Sequence, residues 1–381
     1  MSVIESHIDA SSAEFRETWR RWTPSSPLMQ RRRARLATIL FVLAAVSARA
    51  EAILSVGNAS AKPGETASGV IVVPAGADPG AEIPVSVVNG SKPGAILALV
   101  AGTHGYEYTS VVALPRVLQR LDPTRMSGAV ILVHMANPPA FYERRVYRNA
   151  DGKNLNRVYP GTADGTQTER IAFAITREVI DKATHLVDMH CGDGNESLRP
   201  YSYWQVTGDS KMDAAGKALA VAYGLDHIVI DRERPKDPAK SQYTANTAVL
   251  RGKPAITVES GGLGATDEAS VAAQVAGVLS VISHLGIQDL PSVSVEKPLF
   301  IDRSEVLTAP ATGIWRWNVE KSQSVAEGTL IGRVHDAFGK ALAEVRAPFA
   351  GEVLYVVATP PVTKGEPLGM IGRVMEGEPK P

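Results

Sequence analysis

Apolar positions along this chain follow two different periods. Residues 69–73 and 84–89 are β-branched runs bounded by Gly, Pro and Asp, and they predict a pair of strands. Residues 95–101 are apolar without a break, which suits a strand buried on both faces, and residues 129–135 predict a second one. From Glu107 to Leu121 the spacing turns helical through Val111, Leu114, Val117, Leu118 and Leu121, although Pro115 removes one donor from that stretch. Residues 168–182 predict an amphipathic helix, 185–189 a third buried strand, 214–223 and 241–250 further helices, 254–258 another strand and 268–285 a closing helix. Strands alternating with helices give an α/β sheet covered by helices on both faces. Ligands in such sheets sit beyond the C-terminal ends of strands. His104, His190 and Glu259 all fall at such ends.

The pattern changes after Pro291, where short β runs and Gly/Pro turns take over. Ala309-Pro310-Ala311-Thr312-Gly313 recurs as Ala347-Pro348-Phe349-Ala350-Gly351, and Val325-Ala326-Glu327-Gly328 as Val362-Thr363-Lys364-Gly365. Two similar halves of this size predict a small flattened β-barrel with pseudo-two-fold symmetry. The 381 residues therefore divide into a leader (1–50), a catalytic domain (51–290) and a C-terminal all-β domain (291–376).

Charge separates the leader from the rest. The whole chain is formally neutral, with 40 basic and 40 acidic residues. Residues 1–50 hold eight Arg and four acids, leaving 32 bases against 36 acids elsewhere. Nothing there forms the clustered basic face that a nucleic acid needs. Arg31-Arg32-Arg33-Ala34-Arg35, then an apolar run of about 11 residues from Leu36 to Val46, then Ala48-Arg49-Ala50 have the order of a secretory signal with its cleavage site. The run is too short to span a bilayer. The expectation is a signal peptide over about residues 29–50, a mature chain from Glu51, a periplasmic or extracellular location and no stable membrane span after cleavage. The polar residues 1–28 precede this signal awkwardly, and Met29 is an alternative start. Cys191 is the only cysteine, so no intrachain disulfide is available and stability must come from the core.

The candidate chemistry is that of a metal hydrolase. Zinc takes nitrogen and oxygen ligands, and a catalytic site keeps one position open for water. His104 and Glu107 lie three apart across a turn at Gly105, so both side chains can reach one ion. His190, ending a neighbouring strand, supplies the third ligand, and Asp188 points to the same face, placed to orient a ligand from behind. Glu259 ends an apolar strand and precedes Gly261-Gly262; it is the general base that moves a proton from water to a leaving amine. Arg148 and the loop Asp151-Gly152-Lys153-Asn154-Leu155-Asn156-Arg157 bring guanidinium groups suited to carboxylates and oxyanions. Cys191 lacks a partner set for a nucleophile. Lys340 lies where a carrier lysine would sit in a biotinyl-type half-barrel but has no flanking Met residues.

His104-x-x-Glu107, Asn154-Leu155-Asn156-Arg157, Asp188-x-His190 and Thr257-Val258-Glu259, in that order, resemble the succinylglutamate desuccinylase/aspartoacylase family, a branch of the zinc carboxypeptidase-like hydrolases. The likeness runs from about Val70 to Arg373. It implies a mixed α/β sheet of the zinc carboxypeptidase kind plus a small barrel-sandwich-like β domain. It also implies one zinc ion on His104, Glu107 and His190, Glu259 as proton shuttle, Arg148 at the oxyanion, and Asn156 with Arg157 on a substrate carboxylate. Arg144 and Arg145 compete with Arg148 for the oxyanion role. The expected activity is hydrolysis of the amide bond in an N-acyl amino acid or similar small carboxylate. The alternatives are an exported metallocarboxypeptidase acting on peptides, cell-wall peptides included, and a non-catalytic binding or carrier protein. Self-association into a homo-oligomer is compatible with all of these features.

Overall fold

The computed structural model describes residues 53–147, 149–377 and 379. The signal peptide expected over residues 29–50 and the side chain of Arg148 lie outside the described residues.

The chain opens with a small antiparallel pair, β1 (Leu54–Val56) and β2 (Ala59–Ala61). A long hairpin follows, β3 (Glu65–Val73) and β4 (Ala81–Asn89), then β5 (Lys92–Ala101), α1 (Tyr108–Leu118), β6 (Ser127–Val133) and α2 (Pro138–Glu143). Next come α3 (Gln167–Ile175), β7 (His185–His190), β8 (Glu196–Leu198), β9 (Tyr201–Gln205), α4 (Ser210–Tyr223), β10 (His227–Asp231), α5 (Thr244–Val249), β11 (Ala255–Glu259) and α6 (Glu268–His284). Most of the predicted elements are present. Helix α1 continues through Pro115. The helix expected over 168–182 is α-helical only to Ile175 and finishes as a π-helical segment, Thr176–Ile180. The helix expected over 241–250 narrows to α5, because Ser241 and Gln242 belong to a turn in which Gln242 takes a φ of 67°.

The strands form one mixed sheet in the order β3-β4-β6-β5-β7-β11-β9-β10. Strands β6, β5, β7 and β11 run parallel; β9 is antiparallel to β11 and parallel to β10. The uninterrupted apolar run of β5 is explained by its place between β6 and β7, with one core on each face. Leu97 and Leu99 belong to the side covered by α1, α4 and α6, and Ala98 and Val100 to the side covered by α3 and α5. Leu99 is fully buried, and cutting it to Ala leaves a cavity in this core. Leu99→Ala should lower unfolding free energy by about 2–5 kcal/mol, read from the urea midpoint at unchanged slope.

The C-terminal strands continue this sheet. They are β12 (Leu299–Thr308), β13 (Gly313–Trp317), β14 (Ser324–Val325), β15 (Leu330–His335), β16 (Ala341–Arg346), β17 (Gly351–Val357), β18 (Pro361–Val362) and β19 (Pro367–Val374). Strand β12 pairs in parallel with β10, and β19, β17 and β14 follow beyond it; β8 also pairs with β17. A four-stranded sheet, β16-β15-β13-β18, faces them across a separate core around Trp315, Phe349 and Leu368. The repeat in the sequence appears as matched pairing. Gly313 opposes Val362 in β13–β18, and Gly351 opposes Val325 in β17–β14, so each half supplies one long strand and one short one to the other. Arg199, buried after β8, binds Asp226 ahead of β10 and Glu352 on β17, fastening the β strands to the sheet that carries the catalytic loops. Lys340 is exposed at the β15–β16 turn, its carbonyl bonded by the Asp336 N–H.

Candidate active site

Three neighbouring parallel strands, β5, β7 and β11, deliver the site at their C-terminal ends. His190 and Glu259 are the last residues of β7 and β11 and sit opposite one another in the ladder. Their ends are held by Gln274 of α6, whose amide donates to the carbonyls of His190 (3.0 Å) and Ser260 (2.7 Å). The chain leaving β5 turns sharply so that His104 and Glu107 face back over the sheet. Gly105 permits this turn: a Cβ there would lie 2.2 Å from the Ala140 backbone and 2.4 Å from the Arg145 carbonyl. Gly261, at a φ of 98°, lets the chain leave β11 against Thr109, where a Cβ would meet the hydroxyl at 2.5 Å.

His104, Glu107 and His190 converge, each offering a ligand atom, with all three atoms within 4.8 Å of one another. Glu107 Oε1 is 2.5 Å from His104 Nδ1, and its Oε2 is 2.8 Å from His190 Nδ1. The second contact lacks hydrogen-bond geometry, so Oε2 is a buried oxygen with no hydrogen-bond partner. Such an orphan, beside the His190 nitrogen and on the same carboxylate that meets His104, fits a cation at the common point of the three side chains. Both histidines would present Nδ1 to it, because their Nε2 atoms are engaged elsewhere. His104 Nε2 meets Asn154 Oδ1 at 3.2 Å, and His190 Nε2 meets Asp188 Oδ2 at 3.1 Å. Asp188 is fully buried, as expected for a carboxylate orienting a ligand from behind.

Charge in the site is strongly coupled. Burial works to raise the Glu107 carboxyl, but the His190 and His104 imidazoles outweigh it and bring it down to about 2. Burial works to lower His190, and Glu107 and Asp188 outweigh that, holding it well above the usual imidazole range. Glu259 goes the other way: loss of water and then the nearby carboxylates Glu107, Glu196 and Asp193 push it well above the carboxylate range, against the pull of His190. A carboxyl poised upward is suited to accept a proton from water and to give it up again.

The polar loop contains both expected and unexpected roles. Asn154 starts a 3₁₀ turn, Leu155–Arg157, by accepting the Asn156 N–H, and the same oxygen meets His104. Sequence reasoning gave Asn154 no role of its own. Asn154→Ala should weaken metal affinity about 10–100-fold, measured by competition with a chromogenic chelator. Asn156 is buried behind His190. Its Oδ1 accepts from the Thr244 N–H and hydroxyl, and its Nδ2 faces Asp188 Oδ2 at 3.4 Å and His190 Nε2 at 3.2 Å. Arg157 is exposed, bonds the Asn156 carbonyl and lies 4.7 Å from the Tyr243 ring centre. Arg144 and Arg145 are exposed at the end of α2.

Several groups around the metal position had no signal in the sequence. Asp193 and Glu196 follow His190; burial raises them to about 6 and about 8. They line a cleft of about 770 Å³ between the catalytic loops and the C-terminal strands, together with Tyr147, Asn195, Ile314 and Glu366. Tyr201 and Tyr203 of β9 and Tyr355 of β17 surround Glu259, and all three hydroxyls are raised, by burial first and by Glu259 among the charges. Strand pairing between distant segments brings them there, which spacing along one segment does not reveal. Cys191 is buried beside the site.

Comparison with known proteins agrees with this arrangement. Residues 93–285 match the succinylglutamate desuccinylase/aspartoacylase catalytic domain. Over 305 residues the chain is 30% identical to the N-alpha-acetyl-L-2,4-diaminobutyric acid deacetylase of Halomonas elongata, covering 77% of this chain and 86% of that one. Among solved structures it is similar to a succinylglutamate desuccinylase from a Silicibacter species, at a TM-score of 0.72 and 25% identity, covering 81% and 95% of the two chains. It is equally similar in fold to the product-bound ectoine utilization protein EutE (DoeB) of Ruegeria pomeroyi, at 0.72 and 27% identity, with the same coverage. These three relatives lend no support to a peptide-trimming carboxypeptidase. The motif order, the mixed sheet and these matches agree: the chain belongs to the succinylglutamate desuccinylase/aspartoacylase family.

Proposed function

We propose that this protein is a zinc-dependent amidohydrolase that removes the acyl group from an N-acyl amino acid or a similar small carboxylate. The observation that carries the reading is the convergence of His104 with the buried Glu107 and His190, one Glu107 oxygen orphaned, set beside Glu259 at the ends of paired strands. Zinc held by these three residues would polarise the scissile carbonyl and lower the pKa of a water molecule toward about 7. Glu259 takes the proton of the attacking water and returns it to the departing amine nitrogen, so that a carboxylic acid and a free amine leave. Asp188 and Asn154 hold the two imidazoles with Nδ1 forward. Arg148 is assigned to the developing oxyanion, and Arg157, with Asn156 at its base, to the carboxylate of the amine half.

The curated relative's acetylated diamino acid makes an acetyl group on a short α-amino acid the first chemistry to try. Zinc-loaded protein should release amine from at least one of a panel of N-acetyl and N-succinyl amino acids. It should leave C-terminal residues on peptides untouched. Amine release from peptides alone would replace this reading with a carboxypeptidase, and a purified protein that binds no zinc would remove the metal hydrolase altogether.

A further inference from the structure

Beyond Arg157 lies a second guanidinium that the motifs do not contain. Arg234 follows β10 in a loop that folds back over the sheet. Its Nε is paired with Asp231, whose other oxygen accepts the Glu233 N–H at 3.2 Å. That pairing fixes the plane of the guanidinium and leaves its two terminal nitrogens without an acceptor among the described residues. The side chain is only 19% exposed. It stacks on Tyr243 at 3.9 Å and lies 5.6 Å from the Tyr203 ring. Tyr243 is therefore shared by two cations, with Arg157 at 4.7 Å.

Two positive charges brought to one ring repel each other, and the half-buried Arg234 keeps terminal donors that no described acceptor takes up. An anion reaching both guanidiniums would offset that repulsion and take up the free donors. The surroundings connect this point to the reaction. Arg234 and Tyr243 line a small pocket with Tyr203, Gln205, Asp231 and Thr257. Thr257 lies two residues before Glu259 on the same face of β11, and Tyr203 is its partner in the ladder. Tyr203 also feels Glu259 and Arg234 together. One wall of the pocket is thus the stretch of β11 just before the general base, and Arg234 with Tyr243 forms another.

We infer that Arg234 is a substrate-binding residue, supplying with Arg157 a two-arginine clamp around Tyr243 for the carboxylate of the amine half of the substrate, with Asp231 positioning it. This rests on the reading of the site as an N-acyl amino acid deacylase, and it adds why the substrate must be an acid. An ester or amide of the same carboxyl group offers no charge to the clamp.

The test compares each N-acetyl amino acid with its C-terminal amide in metal-loaded wild type, Arg234→Gln and Arg234→Lys, with zinc content and melting temperature as controls for folding. Wild type should prefer the acid. Arg234→Gln should raise KM for the acid at least 10-fold, change kcat less than 3-fold and leave KM for the amide unchanged; Arg234→Lys should recover part of the loss. An equal change for acid and amide, or no change in KM, overturns the inference. Calorimetric binding of the free amino acid product separates the two claims. Arg234-dependent binding without turnover of any acyl amino acid keeps the clamp and removes the deacylase reading. Turnover with Arg234-independent binding does the reverse.

Discussion

Glu259→Ala lowers kcat for the N-acyl amino acid by about 10²–10⁴-fold, while zinc content stays at the wild-type level and KM moves little. The expectation follows from where Glu259 stands. It is the strand partner of His190, so it reaches the same space as the ligands without being one of them. Its carboxyl is lifted by loss of water and by neighbouring carboxylates, which suits a group that must pick up and release one proton in each turnover. Activity within a few-fold of wild type would remove Glu259 from the proton path and turn attention to Glu196, another raised carboxyl that acts on Glu259. Loss of zinc from the variant would instead mean that Glu259 supports the metal.

His190→Ala abolishes stoichiometric zinc binding and reduces turnover to background. His190 is nearly fully buried and bridges Glu107 in front to Asp188 behind, so its removal leaves two buried carboxylates facing an empty space. Two measurements check this: zinc content after gel filtration, and melting temperature with and without zinc. Wild type at a zinc concentration of about 1,000 times its Kd gains about 4 kcal/mol by mass action and melts several degrees higher; the variant shows no such gain. The pH dependence of wild-type binding gives a second handle. In the metal-free protein His190 and His104 hold their protons above the usual imidazole range, despite burial, because Glu107 is beside both. A metal needs them neutral. Zinc affinity should therefore rise with pH through and above that range and fall as the solution is acidified, with protons released on binding. Affinity independent of pH would place the ion on other ligands.

The chemistry was more legible in the sequence than the frame that holds it. His104, Glu107, His190 and Glu259 stand at ends of apolar strands, and a strand end is visible as the point where an apolar run stops. Their convergence needed only that β5, β7 and β11 be neighbours, as parallel strands joined by helices usually are. Asn154 and Asn156 show where this reasoning stops. Both lie in one polar loop, and only the folded chain shows one behind His104 and the other behind His190. Strands β9 and β10 escaped because Tyr201-Ser202-Tyr203-Trp204-Gln205 follows no clear period and only Ile228–Ile230 is apolar between His227 and Asp231; their order, with β9 reversed against β11, follows from pairing between distant segments. Arg234 and Tyr355 reach the site only through that pairing. The repeat after Pro291 was visible as letters, but nothing in the letters showed that β12 joins β10.

That junction has a consequence for synthesis on the ribosome. Strand β10 has β9 on one side and β12 on the other, and β12 begins at Leu299, nearly 70 residues later. Until it has emerged, the nascent sheet ends in an open edge of unpaired backbone groups carrying Ile228, Val229 and Ile230, the kind of edge that recruits other chains. A fragment ending near residue 290 would keep all three metal ligands and Glu259 and still carry this edge. Such truncations should aggregate where the complete chain stays in solution, and chaperone demand should fall once β12 is out of the exit tunnel.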